Sequence, residues 1–150
     1  MKIYIDADAC PVTRLAIQIA DKYNIPCVLI CDNSHSFSIK GVETIIVSKG
    51  YDSADFELGN RINEGDIAIT QDYGLACMCL GRKAYIINQN GFEYTNENII
   101  YLMETRHEAK KLRARGYHLK GPKARTKEQD DSFADKFAAL IERIQNIQHQ

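Results

Sequence analysis

Aspartates follow two predicted strands and begin a predicted helix, and their carboxylates could bind a metal ion or transfer protons. Asp6 and Asp8 come directly after the apolar run 2–5, and Asp72 follows the apolar run 67–70. Asp52 and Asp55 stand at the start of a helix that leaves a third apolar run. Because the carboxyl ends of parallel strands meet at one edge of a sheet, we expect these acids to share a site there.

Carboxylates gathered at this edge would repel one another. Two unit charges about 4 Å apart cost about 4 kcal/mol at an effective dielectric constant of 20. Shared protons, nearby lysines and arginines, or a divalent cation can each offset that repulsion. Oxygen ligands favour Mg2+ or Mn2+, whereas a chain with four histidines offers little for zinc. Taken singly, Asp8, Asp52 and Asp72 also suit ordinary helix caps. Asp66 precedes its strand, so we expect it at the opposite edge.

Strands and helices alternate along the chain and must position these acids. Continuous apolar runs predict five buried strands, at 2–5, 27–31, 43–47, 67–70 and 84–87. Helical spacing of apolar residues predicts helices near 12–23, 52–63 and 73–80, a long helix capped by Thr95, and a terminal helix over 133–144. Continuous apolar strands are typical of a parallel sheet with helices on both faces. We therefore predict an α/β fold.

The composition favours one soluble domain, residues 1–150. A chain of 150 residues with 45% hydrophobic residues can bury a sufficient core without disulfides. No apolar run reaches the ~20 residues of a membrane helix, and the acidic start does not resemble a secretory signal, so we expect a cytoplasmic protein. The five cysteines lack zinc-site spacing, and we interpret them, Cys10 included, as packing thiols.

The net charge of −1 conceals two opposed parts. The segment 106–127, a predicted helix end and loop, carries nine lysines and arginines against one acid, hence +8, and the remainder carries −9. A segment of this charge suits the phosphates of a nucleic acid, although a solvated helix face gives the same composition. The residues expected to contact phosphates are Arg113, Arg115, Lys120, Lys123 and Arg125, with Tyr117 and His118 available to stack on bases.

Several longer motifs resemble the YaiI/YqxD family of small bacterial proteins, which is grouped with PIN-like nuclease folds. They are Asp-Ala-Asp-Ala-Cys-Pro-Val at 6–12, Gly-Tyr-Asp-Ser-Ala-Asp at 50–55, Gly-Asp-Ile-Ala-Ile-Thr-Gln-Asp-Tyr-Gly-Leu-Ala at 65–76, and a late Gly-Pro followed by Phe133. The resemblance implies a three-layer PIN-like domain with strand order 3-2-1-4-5. It also implies a metal-dependent acidic site in which Asp6, Asp55 and Asp72 match the PIN acids. Asp8 belongs to the opening motif of the family itself.

These observations lead to the hypothesis of a phosphodiesterase that hydrolyses RNA with Mg2+ or Mn2+. The catalytic set would be Asp6, Asp8, Asp55 and Asp72, supported by Asn33, Asp52 and Thr70. A nucleic-acid-binding protein without catalysis and a small-nucleotide phosphohydrolase remain open alternatives. A dinucleotide-binding protein is disfavoured, because Asp-Ala-Asp rather than a glycine-rich turn follows the first strand.

Overall fold

The computed structural model describes residues 1–32, 39–48, 53–117 and 124–149. Within these ranges, strands and helices alternate through most of the chain. The strands are β1 (Ile3–Asp6), β2 (Cys27–Asp32), β3 (Glu43–Val47), β4 (Ile67–Ile69), β5 (Tyr85–Ile87) and β6 (Glu93–Tyr94). The α-helices are α1 (Thr13–Lys22), α2 (Ser53–Arg61), α3 (Tyr73–Gly81), α4 (Asn96–Ala114) and α5 (Lys127–Gln148). A single 3-10 turn, Ala7–Ala9, follows β1.

The strands form one sheet in the order β3-β2-β1-β4-β5-β6. Strands β1 to β5 pair in parallel, which confirms the predicted fold class and the order 3-2-1-4-5. In the central pair, Ile5 of β1 lies opposite Ile69 of β4. The order of the strands reverses between β1 and β4, and the edge of an open sheet beside such a reversal is where ligands bind.

The sixth strand was not predicted, and it pairs with β5 in antiparallel orientation. A tight turn joins the two, in which the side chain of Asn88 accepts hydrogen bonds from the N–H groups of Asn90 and Phe92, both at 2.9 Å. Gly91 in this turn has φ +86°, and a Cβ there would come within 3.0 Å of Lys136 and Ser132 in α5. Glycine therefore lets the turn pack closely against α5.

Two hydrophobic cores, one on each face of the sheet, give the fold its three layers. Alternate residues of a strand point to opposite faces. Ile3 and Ile5 of β1 pack in the core that α1 and α5 cover. Tyr4 packs in the core that α2, α3 and the start of α4 cover. The predicted helices on both faces are thus confirmed.

The predicted cap of α4 by Thr95 is confirmed, whereas a matching cap of α5 by Thr126 was not predicted. The Thr95 hydroxyl accepts from the N–H of Asn98 at 3.1 Å, and the Asn98 side chain accepts from the N–H of Thr95 at 2.9 Å. Thr126 makes the same reciprocal arrangement at the start of α5. These capping boxes satisfy N–H groups that the first turn of a helix leaves without partners.

The cysteines are free thiols, most of them packed in the interior. Burial raises the pKa of Cys27 and of Cys79 to about 12, so both are neutral at physiological pH. Among the residues described, none of the helices is both long enough and apolar enough to span a bilayer.

The core between the sheet and α5 predicts that substitutions at two phenylalanines differ greatly in their effect on the stability of the protein. Phe133 is fully buried and stacks on Phe137, whereas Phe56 is 58% exposed. Phe133→Ala should lower the free energy of unfolding by about 3–5 kcal/mol, because it leaves a cavity in the core. Phe56→Ala should change it by less than about 0.5 kcal/mol. Urea denaturation measures both, and equal losses would contradict this packing.

Candidate functional site

The hydroxyl of Thr70 connects the two acidic motifs that follow β1 and β4. It donates a hydrogen bond to Oδ2 of Asp6 at 2.9 Å and accepts one from the N–H of Asp72 at 3.1 Å. Thr70 is only 3% exposed, so these bonds lie beneath the surface of the sheet edge. The predicted approach of Asp6 to Asp72 is confirmed, and Thr70 is the side chain that links them.

Asp72 is the N-cap of α3 and also a residue of this edge. Its Oδ1 accepts from the N–H of Leu75 at 2.9 Å, as the capping interpretation expects. The cap fixes the position of the carboxylate at the start of α3.

Asp8 ties the turn after β1 to the end of β2. Both of its carboxylate oxygens accept from the N–H of Asp32, at 3.1 and 3.0 Å.

Asp66 lies at the opposite side of the sheet from these acids, at the amino ends of the strands, as predicted. Its two oxygens accept from the N–H groups of Lys2 and Asn63, each at 2.9 Å. Asp66 therefore holds the start of β4 in place, away from the acidic edge.

The pKa of Asp6 is raised above its usual value of 3.8. Burial of the carboxyl group is the largest cause, and the negative charges of Asp8 and Asp72 raise the pKa further. The hydrogen bond from Thr70 acts in the opposite direction, because it stabilises the carboxylate. The predicted repulsion between the acids thus contributes to the raised pKa of Asp6, after burial.

The acidic edge opens into a cavity of about 580 Å³, which lies within the usual range of ~300–1,000 Å³ for small-ligand sites. Asp6, Thr70 and Asp72 line it from the sheet side. From α4, the lining residues are Leu102, Thr105, Arg106, Ala109 and Arg113. Their spacing is that of one helix face. The acidic edge and the start of the basic segment therefore belong to one cavity.

Asp55 contributes to a neighbouring cavity rather than to this one. A pocket of about 200 Å³ is lined by Asp55, Phe56 and Met78, and it shares Asp72 with the larger cavity. Within residues 1–32, 39–48, 53–117 and 124–149, no three histidine, cysteine, aspartate or glutamate side chains are grouped so as to hold a metal ion. Metal binding by Asp6, Asp55 and Asp72 stays a prediction.

Apart from Arg125, the remaining predicted residues divide into three groups. Arg113 lines the cavity. Arg115 and Tyr117 are exposed at and beyond the end of α4, outside the cavity lining. The others lie outside the described residues: Asn33, Asp52, His118, Lys120 and Lys123.

Arg125 fastens the chain before α5 to the turn after β5. Its guanidinium forms an ion pair with Asp130 at 2.6 Å. It also donates to the Asn90 side-chain oxygen at 2.8 Å and to the backbone carbonyl oxygen of Gln89 at 2.5 Å. Because these protein groups occupy the guanidinium, Arg125 is less suited to phosphate contact than Arg106 and Arg113.

Sequence reasoning did not single out Arg106, Tyr73 or Gln89, which also line the cavity. Arg106 precedes Arg113 by two helical turns, so their spacing is a signal that they share a face. Tyr73 follows Asp72 directly, and Gln89 follows β5 as Asp72 follows β4. The amide oxygen of Gln89 is buried without a hydrogen-bond partner among the described residues.

The fold and this edge together define an α/β domain with a cavity that acids and arginines line beside the reversal of strand order. The family model described as "Uncharacterized BCR, YaiI/YqxD family" matches residues 4–143. The chain therefore belongs to the YaiI/YqxD family, as its motifs indicated.

Curated relatives of similar length support this membership. A UPF0178 protein of Exiguobacterium sibiricum is 47% identical over 94% of this chain and 96% of its own length. Relatives of the same name from Clostridium acetobutylicum and Oceanobacillus iheyensis are 44% and 43% identical, over 95% and 94% of this chain and 98% and 99% of their own lengths. Their names state no reaction. No solved structure gives a significant match to the chain.

The raised pKa of Asp6 predicts that Asp6→Asn stabilises the metal-free protein near pH 7.5. A carboxyl whose pKa is raised on folding opposes folding when it is ionised, and this cost disappears as the pH falls and the group binds a proton. The excess stability of the variant should therefore shrink as the pH falls from 7.5 toward the usual aspartate pKa of 3.8. Thermal unfolding in EDTA measures the difference.

Asp135→Asn is the matched control for this experiment, because it removes the same charge from an exposed position on α5. Its stability should stay within about 0.5 kcal/mol of the original protein. A loss of stability in Asp6→Asn, or a difference that does not change with pH, would contradict the electrostatic account of this edge.

Proposed function

We propose that the cavity binds a phosphodiester of RNA and hydrolyses it with Mg2+ or Mn2+. The observation that carries this proposal is the meeting of Asp6 and Asp72 with Arg106 and Arg113 around one cavity of about 580 Å³. Carboxylates suit a divalent cation, and arginines suit the phosphate that such a cation would share.

The donor set fits a cation that retains water. Mg2+ is commonly bound by one or two carboxylates together with substrate phosphates and water, rather than by a complete cage of protein ligands. Asp6 and Asp72 are enough for such binding, and this agrees with the absence of a three-residue metal group among the described residues. When bound, the cation would activate water and stabilise charge on the phosphate.

The residues of the chain prepare the site for this chemistry. The Thr70 hydroxyl and the N–H of Leu75 orient the carboxylates of Asp6 and Asp72. Fixed ligands lose little freedom on binding, which favours affinity. The arginines of α4 would bind the phosphate and offset its charge, so that a polyanion can approach an acidic edge. The role of Asp55 would be confined to the neighbouring pocket.

A nucleic-acid-binding protein without catalysis is the second candidate. The observation that favours it is the pair of arginines, Arg106 and Arg113, that line the cavity from one face of α4. The arginines alone can bind phosphates, and such binding should persist in EDTA. Binding in EDTA with no cleavage in Mn2+ would support this second function.

Removing either carboxylate proposed to bind the cation should strongly reduce cleavage. Asp6→Asn and Asp72→Asn should each lower the Mn2+-dependent cleavage of a labelled single-stranded RNA by at least about a hundredfold, since even groups that only orient metal ligands are worth 10–100-fold. Asn caps helices as well as Asp does, so Asp72→Asn keeps α3 capped. The control variant, Asp135→Asn, should cleave the RNA as fast as the original protein does. Full activity in both site variants would exclude the proposed metal site.

Removing the arginines should weaken RNA binding and its dependence on salt. Each phosphate contact to a single strand contributes about 0.7 to the slope of log K against log salt. Arg106→Gln with Arg113→Gln should therefore flatten the slope by about 1.4. Lys2→Gln with Lys22→Gln is the matched control, because both lysines are exposed and lie near the opposite edge of the sheet. Fluorescence anisotropy at several salt concentrations measures the slopes. Equal slopes for the arginine variant and the original protein would show that these arginines do not contact the phosphates.

A further inference from the structure

Tyr73 presents an aromatic ring beside the proposed phosphate site. It is the first residue of α3 and follows Asp72 directly, so the cap that fixes Asp72 also fixes the start of its backbone. Its side chain is half-buried and lines the 580 Å³ cavity. An aromatic ring is thus held next to a carboxylate that the proposed function assigns to the cation.

The ring is supported from one side by other aromatic residues. Tyr73 packs edge to face against Tyr94, with ring centres 5.8 Å apart. Tyr94 is buried and packs in the same way against Phe92, with ring centres 5.5 Å apart. Such pairs restrict the orientation of the Tyr73 ring.

Arg106 lies over a face of the same ring. Its guanidinium carbon is 5.8 Å from the ring centre, within the range of a cation–π contact. Arg106 is exposed on α4 and also lines the cavity. A cation that sits over an aromatic face occupies a place where another flat group can stack, and a flexible, exposed side chain is readily displaced.

Gln89 adds a requirement that a phosphate cannot meet. Its buried amide oxygen has no hydrogen-bond partner among the described residues, and an unsatisfied buried acceptor is unfavourable. Phosphate oxygens are acceptors, so they cannot donate to it. Gln89 lines the cavity, and a hydroxyl or an N–H group of a nucleoside is a donor that can satisfy its amide oxygen.

Resting on the proposed function, we infer that Tyr73 is a base-binding residue of the cavity. The nucleobase beside the bound phosphate stacks on the Tyr73 ring in place of the Arg106 guanidinium, which moves to the phosphate. The sugar or the base supplies a donor to Gln89. The cavity thereby binds a whole nucleotide unit rather than a phosphate alone.

Two variants separate the ring from the hydroxyl of Tyr73. Tyr73→Leu removes the stacking face, and Tyr73→Phe keeps it. The probes are a short single-stranded oligoribonucleotide and an abasic strand of the same length, which has the same phosphates but no bases. Binding is measured in EDTA, where cleavage that depends on a divalent cation cannot occur. Phe92→Leu controls for damage to the aromatic cluster, since Phe92 does not line the cavity.

Tyr73→Leu should weaken binding of the oligoribonucleotide roughly ten- to a hundredfold, because stacking of one base contributes that much. Tyr73→Phe and Phe92→Leu should bind within about twofold of the original protein. All four proteins should bind the abasic strand equally, which also shows that the variants are folded. Equal affinity of Tyr73→Leu and the original protein for the oligoribonucleotide would overturn the inference. If the original protein bound neither strand in EDTA and neither bound nor cleaved the oligoribonucleotide with Mn2+ present, the proposed function itself would fail.

Discussion

The hydroxyl of Thr70 is the contact on which the acidic edge depends. It lies between two neighbouring parallel strands, where it donates to the carboxylate of Asp6 and accepts from the backbone of Asp72. Pairing of β1 with β4 brings these groups within reach, and the α3 cap then fixes the second carboxylate. Thr70 also opposes the electrostatic penalty on Asp6, since its hydrogen bond lowers a pKa that burial and neighbouring acids raise. A single buried hydroxyl thus orients one acid and partly stabilises its charge.

The fold brings acidic residues and part of the basic segment to one cavity. Helix α4 crosses from the core to the cavity, because its first turn packs Ile99 against the sheet and its later turns present Arg106 and Arg113. The basic segment does not act as one unit, since Arg125 binds Asp130, Asn90 and Gln89 instead. Part of the +8 segment therefore faces the acids, and part of it holds the structure together.

Local sequence patterns predicted five of the strands and the helices, because burial on both faces requires continuous apolar runs. The prediction of burial was wrong for β3, which lies at one end of the strand order and leaves Ile46 53% exposed. The patterns missed β6, which has two residues and depends on the turn at Asn88. The adjacency of β1 and β4 is a property of the topology, and it was predicted from resemblance to a family rather than from spacing. The separation of Asp55 from the main cavity, and the contact of Arg106 with Tyr73, depend on how α2, α3 and α4 pack together. Such tertiary distances are not encoded in any one segment.

The central claim is that a divalent cation binds at the carboxyl ends of β1 and β4. Titration of the isotope-labelled protein with Mn2+, followed by amide NMR spectra, tests it most directly, because the paramagnetic ion broadens the signals of nearby groups. The amide signals of Asp6, Thr70, Asp72 and Tyr73 should disappear first, while those of Lys2 and Asp66 at the opposite edge should persist. Broadening centred away from the carboxyl ends of these strands, or none at all, would contradict the account.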